Sequence, residues 1–328
     1  MSRGPNEHRV VLSKPTFRQL AMALLLAMPT GATAAAPTEI AEQFRAAAQT
    51  HGKLALGEIS AFKNTYLADV TIQTPKIGDD GSLSGTATFA GQDAPVLLQY
   101  VGGESGGAGQ WLLAWRLPTR NLGELIPAMA AVANQGLQLA TPVMIFSTQP
   151  VEIASSSMAA PVRDFYREVY GDGAYSLHVE DGVNLVTSIE LRGELLAGMQ
   201  TLGVNPQGLV LEGVVLKNFD ATTLRQARDQ GRLISAVSKD AVLRARLAQG
   251  AIINLPDTFQ VSEFALLVTG KPSVGVAFNM LVGAGSDQRK FICEGLFLGG
   301  QPQGGGMSGF SITARSDDAS LWRNALGI

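Results

Sequence analysis

Few residues in this 328-residue chain combine a reactive side chain with a recognisable spacing. The clearest is Ser105, which lies in the sequence Gly103-Glu104-Ser105-Gly106-Gly107. This stretch matches the G-x-S-x-G nucleophile elbow, in which a sharp strand-to-helix turn exposes a serine for attack on an acyl group. A serine hydrolase using Ser105 is therefore one hypothesis for this protein.

A serine nucleophile also needs a histidine base and usually a carboxylate that orients the base. His178 follows Ser105 in the chain order of an α/β-hydrolase, and Glu152 or Asp164 would be the acid. The elbow requires a helix directly after the serine, but more glycines and the strand-like stretch Trp111–Arg116 follow instead. Ser105 and His178 are thus catalytic candidates that the surrounding pattern does not support, and the favoured prediction is a protein without catalytic residues.

Metal and cofactor chemistry has little support in the sequence. Beyond the N-terminus the chain carries two histidines, His51 and His178, and one cysteine, Cys293, with no metal-ligand spacing among them. The pairs Asp79-Asp80 and Asp317-Asp318 lie in predicted turns, where acids usually cap the backbone or contact solvent rather than bind calcium. No nucleotide-binding glycine motif follows a strand. We therefore predict no cofactor and no metal.

The N-terminus has the three parts of a cleavable secretory signal. Basic residues precede a short apolar stretch, Leu20–Met28, and small residues follow Pro29. Cleavage after Ala36 would leave Pro37 beside the scissile bond, so Ala34 is the predicted end of the signal, residues 1–34. The nine apolar residues fall short of the roughly 20 that span a membrane. We expect a protein exported to the periplasm or to the extracellular medium.

Charge and composition narrow the range of partners. The whole chain has 25 basic and 28 acidic residues, and the predicted signal removes four basic residues and one acidic residue, which leaves 21 and 27, a net charge of −6. A nucleic-acid partner is disfavoured because phosphate binding needs a basic surface. The uncharged stretch Leu125–Val151 is interrupted by prolines and amides. We therefore predict that this is not an integral membrane protein.

The hydrophobic pattern predicts a strand-dominated α+β fold. Two antiparallel β meanders, each closed by a short helix, are joined by a segment of mixed helix and strand. We divide the mature chain into residues 35–150 (an N-terminal helix and the first meander), 151–255 (the mixed segment) and 256–328 (a second meander resembling the first). The resemblance depends on a Gly-rich loop between two strands in each meander, residues 102–109 and 299–306.

Helices are expected where capping residues precede apolar positions at i, i+4 spacing. The predicted helices are Thr38–His51, Asn121–Val132, Pro161–Tyr170, Glu194–Leu202, Asp220–Gly231, Ser238–Gln249 and Asp317–Ala325.

Three functions remain open from the sequence. We favour an exported, non-catalytic binding or carrier protein for an apolar or lipid-like ligand, because 46% of the chain is apolar and only 6% is aromatic. An alternative is a structural or protein-interaction module of the cell envelope or extracellular space. The third is the serine hydrolase using Ser105.

Overall fold

Alternating or continuous apolar residues over stretches of up to eleven positions, separated by turn residues, form the antiparallel β-strands that are the commonest secondary structure of this protein. The computed structural model describes residues 37–102, 109–118, 121–125, 136–193, 196–197, 209–217, 219–231, 242–247, 253–254, 259–269, 273–283, 289–299 and 307–316. The predicted signal peptide and the predicted helix Asp317–Ala325 lie outside these residues.

The helices are α1 (Pro37–His51), α2 (Leu122–Leu125), α3 (Ala160–Tyr170) and α4 (Ala221–Gln230). The strands of the N-terminal and middle parts are β1 (Lys53–Ala55), β2 (Thr71–Ile77), β3 (Leu83–Phe89), β4 (Gln92–Val101), β5 (Gln110–Arg116), β6 (Leu137–Leu139), β7 (Val143–Ser147), β8 (Val151–Ala154), β9 (Ser176–Val179), β10 (Gly182–Leu191) and β11 (Leu209–Leu216). The remaining strands are β12 (Val242–Leu247), β13 (Ile253–Asn254), β14 (Phe259–Thr269), β15 (Ser273–Val282), β16 (Arg289–Gly299) and β17 (Met307–Ser316).

Within the described ranges, one antiparallel sheet contains fifteen strands in the order β1-β2-β3-β4-β5-β7-β10-β11-β12-β14-β15-β16-β17, with β6 and β13 pairing beside this path. Strands β8 and β9 form a separate two-stranded sheet. The prediction of a strand-dominated fold with antiparallel sheets and few helices is confirmed. Strands from all three predicted segments contribute to the large sheet, and the segment boundaries themselves stay a prediction.

The two faces of the large sheet are named here after one residue on each. Cross-strand pairing puts Trp115, Met144 and Leu185 on one face, the Trp115 face. It puts Val143 and Val186 on the other, the Val186 face. Both faces are buried at β5, β7 and β10, which explains why these strands are almost continuously apolar.

Helix α3 covers the Val186 face. Its buried residues Val162, Phe165, Tyr166 and Val169 recur at helical spacing and join a core cluster with Val186. Arg116 of β5 anchors helix α3 to the sheet through three contacts. Its guanidinium Nη2 donates to the Phe165 carbonyl at 2.7 Å, Nη1 lies 2.9 Å from Glu168 Oε1, and the cation sits 5.0 Å above the Phe165 ring.

Helices α1 and α4 cover the Trp115 face. The Phe44 ring of α1 packs edge-on to Trp111, with the ring centroids 5.9 Å apart. The Phe219 ring, just before α4, packs against Phe146 with the centroids 5.4 Å apart. The expected caps of α4 are present: Asp220 Oδ1 accepts from the Thr223 N–H at 2.8 Å, and Gly231 ends the helix in the left-handed conformation, φ 66°.

One predicted helix is wrong. Residues Val242–Leu247, inside the expected helix Ser238–Gln249, form strand β12 between β11 and β14. The hexapeptide Val-Leu-Arg-Ala-Arg-Leu alternates with a period of two, so the arginines lie on one face of the sheet and the apolar residues Leu243 and Ala245 on the other. Pairing on both sides outweighs helix propensity, which is a weak preference.

Candidate functional site

Ser105 belongs to residues 103–108, which lie outside the described part of the chain. Its flanks are described: Val101 at the end of β4 pairs with Gln110 at the start of β5 in an antiparallel hairpin. The nucleophile elbow joins a strand to a helix, and here strand follows strand. The hydrolase hypothesis therefore gains no support from the flanks, and Ser105 itself stays untested.

His178 lies on β9, directly opposite Glu152 on β8. The two side chains are about half exposed, and His178 Nδ1 is 3.8 Å from Glu152 Oε2, too far for a hydrogen bond. The nearby serine hydroxyls are engaged locally, since Ser155 Oγ accepts from the Tyr175 N–H and Ser157 Oγ donates to the Ala154 carbonyl. The pair is an exposed ion pair when the histidine is protonated, a contact usually worth under about 1 kcal/mol.

The acid pair at residues 79–80 has a structural role. Asp80 Oδ1 accepts hydrogen bonds from the Ser82 N–H at 3.1 Å and from the Ser82 hydroxyl at 2.6 Å, which closes the turn between β2 and β3. Among the residues that the structure describes, no group of three or more His, Cys, Asp or Glu side chains is placed to hold a metal ion. The second acid pair, Asp317-Asp318, lies outside those residues.

Cys293 is buried on β16, paired across the sheet with Phe278 of β15. Burial raises the pKa of its thiol, which disfavours the reactive thiolate. Cys293 therefore contributes an apolar group to this part of the sheet.

The apolar surface around Cys293 is the feature that motif analysis missed. On β15 and β16 the register opposes Val274 to Phe297, Phe278 to Cys293 and Met280 to Phe291. Phe291 and Cys293 are buried, whereas Phe278 and Met280 are half-buried. These residues form an apolar stripe along two neighbouring strands.

The stripe extends sideways through the neighbouring strands. Positions Val261, Leu266 and Val268 of β14 oppose Met280, Val276 and Val274 of β15. On the other side, Phe310 and Ile312 of β17 oppose Phe297 and Gly295 of β16. We name this region of β14 to β17 the C-terminal apolar face. Strands of ten or eleven residues at about 3.3 Å per residue, spaced about 4.8 Å apart, make it about 30 Å long and about 15 Å wide.

The C-terminal apolar face is continuous with the Trp115 face. Leu211 of β11 opposes Ala245 of β12, Ala245 opposes Leu266 of β14, and the same row reaches Ile312 through Val276 and Gly295. The Trp115 face and the C-terminal apolar face are therefore two parts of one sheet surface.

The opposite face of the same strands is mixed. The row Ala277–Glu294–Thr313 and the row Asn279–Ile292–Arg315 cross it, and the row Leu267–Gly275–Leu296–Ser311 adds leucines to it. Glu294, Thr313 and Arg315 are exposed on this face.

The described helices pack mainly against β1 to β10. Their closest associations are α1 with β1 and β2, α2 with β6, α3 with β4 and β10, and α4 with β3. The C-terminal apolar face is therefore apolar like the Trp115 face, but it belongs to strands that lie beyond those covered by the described helices. A period-two pattern was visible in β15 and β17, but only strand register shows that four strands align their apolar positions.

Comparisons with known proteins identify no relative: a scan of protein-family models, a search of curated proteins and a search of solved structures each gave no match. None of the helices in the described residues is both long enough and apolar enough to span a membrane.

Proposed function

We propose that this protein is an exported, non-catalytic binding or carrier protein that holds an apolar or lipid-like molecule on its C-terminal apolar face. The observation that carries the proposal is the alignment of apolar positions across β14 to β17. Its site of action is the periplasm or the extracellular medium, which the signal-like N-terminus supports.

The chemistry of this face suits an apolar ligand. The stripe on β15 and β16 offers aliphatic, aromatic and thiol groups from Val274 to Met280 and from Phe297 to Phe291, and Arg289, opposite Val282, lies at its end. Phe291 and Cys293 are buried and Phe278 and Met280 are half-buried, whereas Ala314, opposite Cys293, is exposed, so the face is sheltered at β15 and β16 and open at Ala314. Sheltered apolar surfaces with few polar groups are typical of small-molecule sites.

The sheet plan is part of the same proposal. In it, β2 to β5 and β14 to β17 are related meanders, each closed by a short helix. The consecutive antiparallel order of both sets of strands supports the relation. The short helix α2 after β5 supports a closing element for the first meander.

The direct test is native mass spectrometry of the exported protein, followed by solvent extraction of whatever co-purifies. We expect a stoichiometric apolar mass that disappears on extraction. The same preparation gives the mature N-terminus, which the signal prediction places at Ala35. A clean apo mass, together with no uptake of a fluorescent long-chain fatty acid by the extracted protein, would rule the carrier function out.

A pair of lysine substitutions locates the site. Met280→Lys puts a charge on the C-terminal apolar face, and Glu294→Lys changes the charge on the exposed opposite face. Because burying an unpaired charge against an apolar ligand is costly, we expect Met280→Lys to weaken fatty-acid binding by roughly tenfold or more. The matched Glu294→Lys variant should bind like the wild type. Equal binding by both variants would move the site elsewhere, and hydrolysis of an ester probe lost in Ser105→Ala would favour the hydrolase instead.

A further inference from the structure

The two ends of the large sheet differ in how their edges are protected. Strand β1 at one end has three residues, carries Lys53 and lies beside helix α1. Strand β17 at the other end has ten residues and, in the part of the chain that is described, pairs only with β16. Its sequence contains no proline and a single charged residue, Arg315.

A long edge without charges offers unpaired N–H and C=O groups to another strand. Short length and a lysine protect β1 from such pairing. Strand β17 has one protective feature, a bulge at Ser308, where the register shifts between Leu298 and Gly299 of β16. The stretch Gly309–Arg315 beyond the bulge is regular and pairs residue by residue with β16.

We propose that β17 pairs with β17 of a second copy of this chain, antiparallel and around a two-fold axis at Ile312. A two-fold axis perpendicular to the sheet keeps each face on the same side in both copies. Directly opposite residues of an antiparallel pair point to the same face, whereas consecutive residues of one strand point to opposite faces. The axis must therefore pass through one residue position, where that residue pairs with its own copy. An axis at Ile312 uses the whole bulge-free stretch Gly309–Arg315. Strand addition of this kind is an established mode of protein recognition.

The sequence of β17 is complementary to itself in this register. Phe310 lies opposite the partner's Ala314, which sets a large residue against a small one, and Ser311 lies opposite the partner's Thr313. Arg315, the strand's charged residue, lies opposite the partner's Gly309. The two Arg315 positions are six residues apart along the strand, about 20 Å, which exceeds the Debye length at physiological salt.

Pairing in this way joins the C-terminal apolar faces of the two copies on one side of a continuous sheet. The interaction does not rest on the proposed function, because it depends on backbone edges and on residues 309–315 alone.

Charge substitutions at two positions test the register. Positions 311 and 313 lie on one face of β17, opposite Leu296 and Glu294 of β16, and Thr313 is exposed. Circular dichroism of each variant checks that it folds. In the proposed register the variant S311K/T313K sets lysine against lysine twice, and S311E/T313E sets glutamate against glutamate twice. The matched control S311K/T313E carries charges at the same positions but opposes lysine to glutamate.

Sedimentation and light scattering of the full mature chain provide the measurement. We expect the wild type and S311K/T313E to be dimers. Each like-charged variant alone should dissociate about tenfold to a hundredfold more readily, and an equimolar mixture of the two should form heterodimers. A monomeric wild type, a dimeric S311K/T313K protein, or a mixture that stays monomeric would each overturn the proposal. Fatty-acid binding by the monomeric variants, measured on the same samples, separates this outcome from a failure of the carrier function.

Discussion

Strands β2 to β7, β10 and β11 and strands β14 to β17 belong to one antiparallel sheet, yet they lie in different surroundings. In the first region, α1 and α4 cover one face of the sheet and α3 covers the other, so β7 is buried at every residue. In the second region, one face is mixed and exposed at Glu294 and Thr313, while the other is apolar with half-buried residues such as Phe278. Strands with similar apolar residues therefore form a filled core where helices cover the sheet, and a candidate binding surface beyond those helices.

Truncating one phenylalanine in each region tests this difference in burial, and we expect it to give the largest change in the free energy of unfolding. Phe146 is fully buried and packs against Tyr66 and Phe219, so Phe146→Ala should lower the free energy of unfolding by about 3–5 kcal/mol. Because Phe278 is half-buried, Phe278→Ala should lower the free energy of unfolding by less than about half of that amount. Urea unfolding of both variants measures the two values. An equal loss of stability in Phe278→Ala would mean that the C-terminal apolar face is a filled core, and the two regions would then not differ in burial.

The anchoring of helix α3 gives an intermediate effect. Arg116 donates to the Phe165 carbonyl and pairs with Glu168, so Arg116→Ala removes a charged hydrogen bond and an ion pair. We expect a loss of about 2–3 kcal/mol in thermal or urea unfolding. Arg167 on the same helix pairs with Asp164 in an exposed position, and Arg167→Ala should cost under about 1 kcal/mol. Equal losses for the two arginines would show that α3 does not depend on this anchor.

The N-cap of α4 gives the smallest effect. Asp220 accepts from the Thr223 N–H and hydroxyl, and these hydrogen bonds hold the pKa of its carboxyl below the ordinary value. Asp220→Ala should lower stability by about 1 kcal/mol at neutral pH, while Thr222→Ala on the exposed side of the same helix should be close to neutral.

The Asp220 effect should also depend on pH. Because the folded-state pKa is lowered, the stabilisation is present above the unfolded-state pKa, about 3.9, and is lost as the pH falls through the folded-state value. The difference between wild type and Asp220→Ala in urea unfolding should therefore shrink below about pH 4. A difference that stays constant down to pH 2 would show that the cap acts through packing and not through its charge.

Local sequence signals predicted the elements whose stability is decided locally. The caps Asp220 and Gly231 predicted α4 correctly. Strand β12 was predicted as a helix because Val242–Leu247 also fits an apolar i, i+4 spacing. Its state depends on hydrogen bonding to β11 and β14, which are distant in sequence, and no local signal reports such pairing.

The candidate site was predictable only in part for the same reason. The motif around Ser105 could be found by inspection, but the C-terminal apolar face depends on registers such as Val261 with Met280 and Phe297 with Phe310. A shift of one residue in any strand would turn its apolar positions to the opposite face.

From the sequence alone it could be predicted that this protein is rich in antiparallel strands, because composition, period and turn residues are local properties. The tertiary structure decided which strands are neighbours, which faces the helices cover, and that β17 ends the path of the sheet. The physical reason is that strand pairing and helix packing are contacts between residues far apart in the chain, whose register is set by the burial of whole faces and not by any single residue.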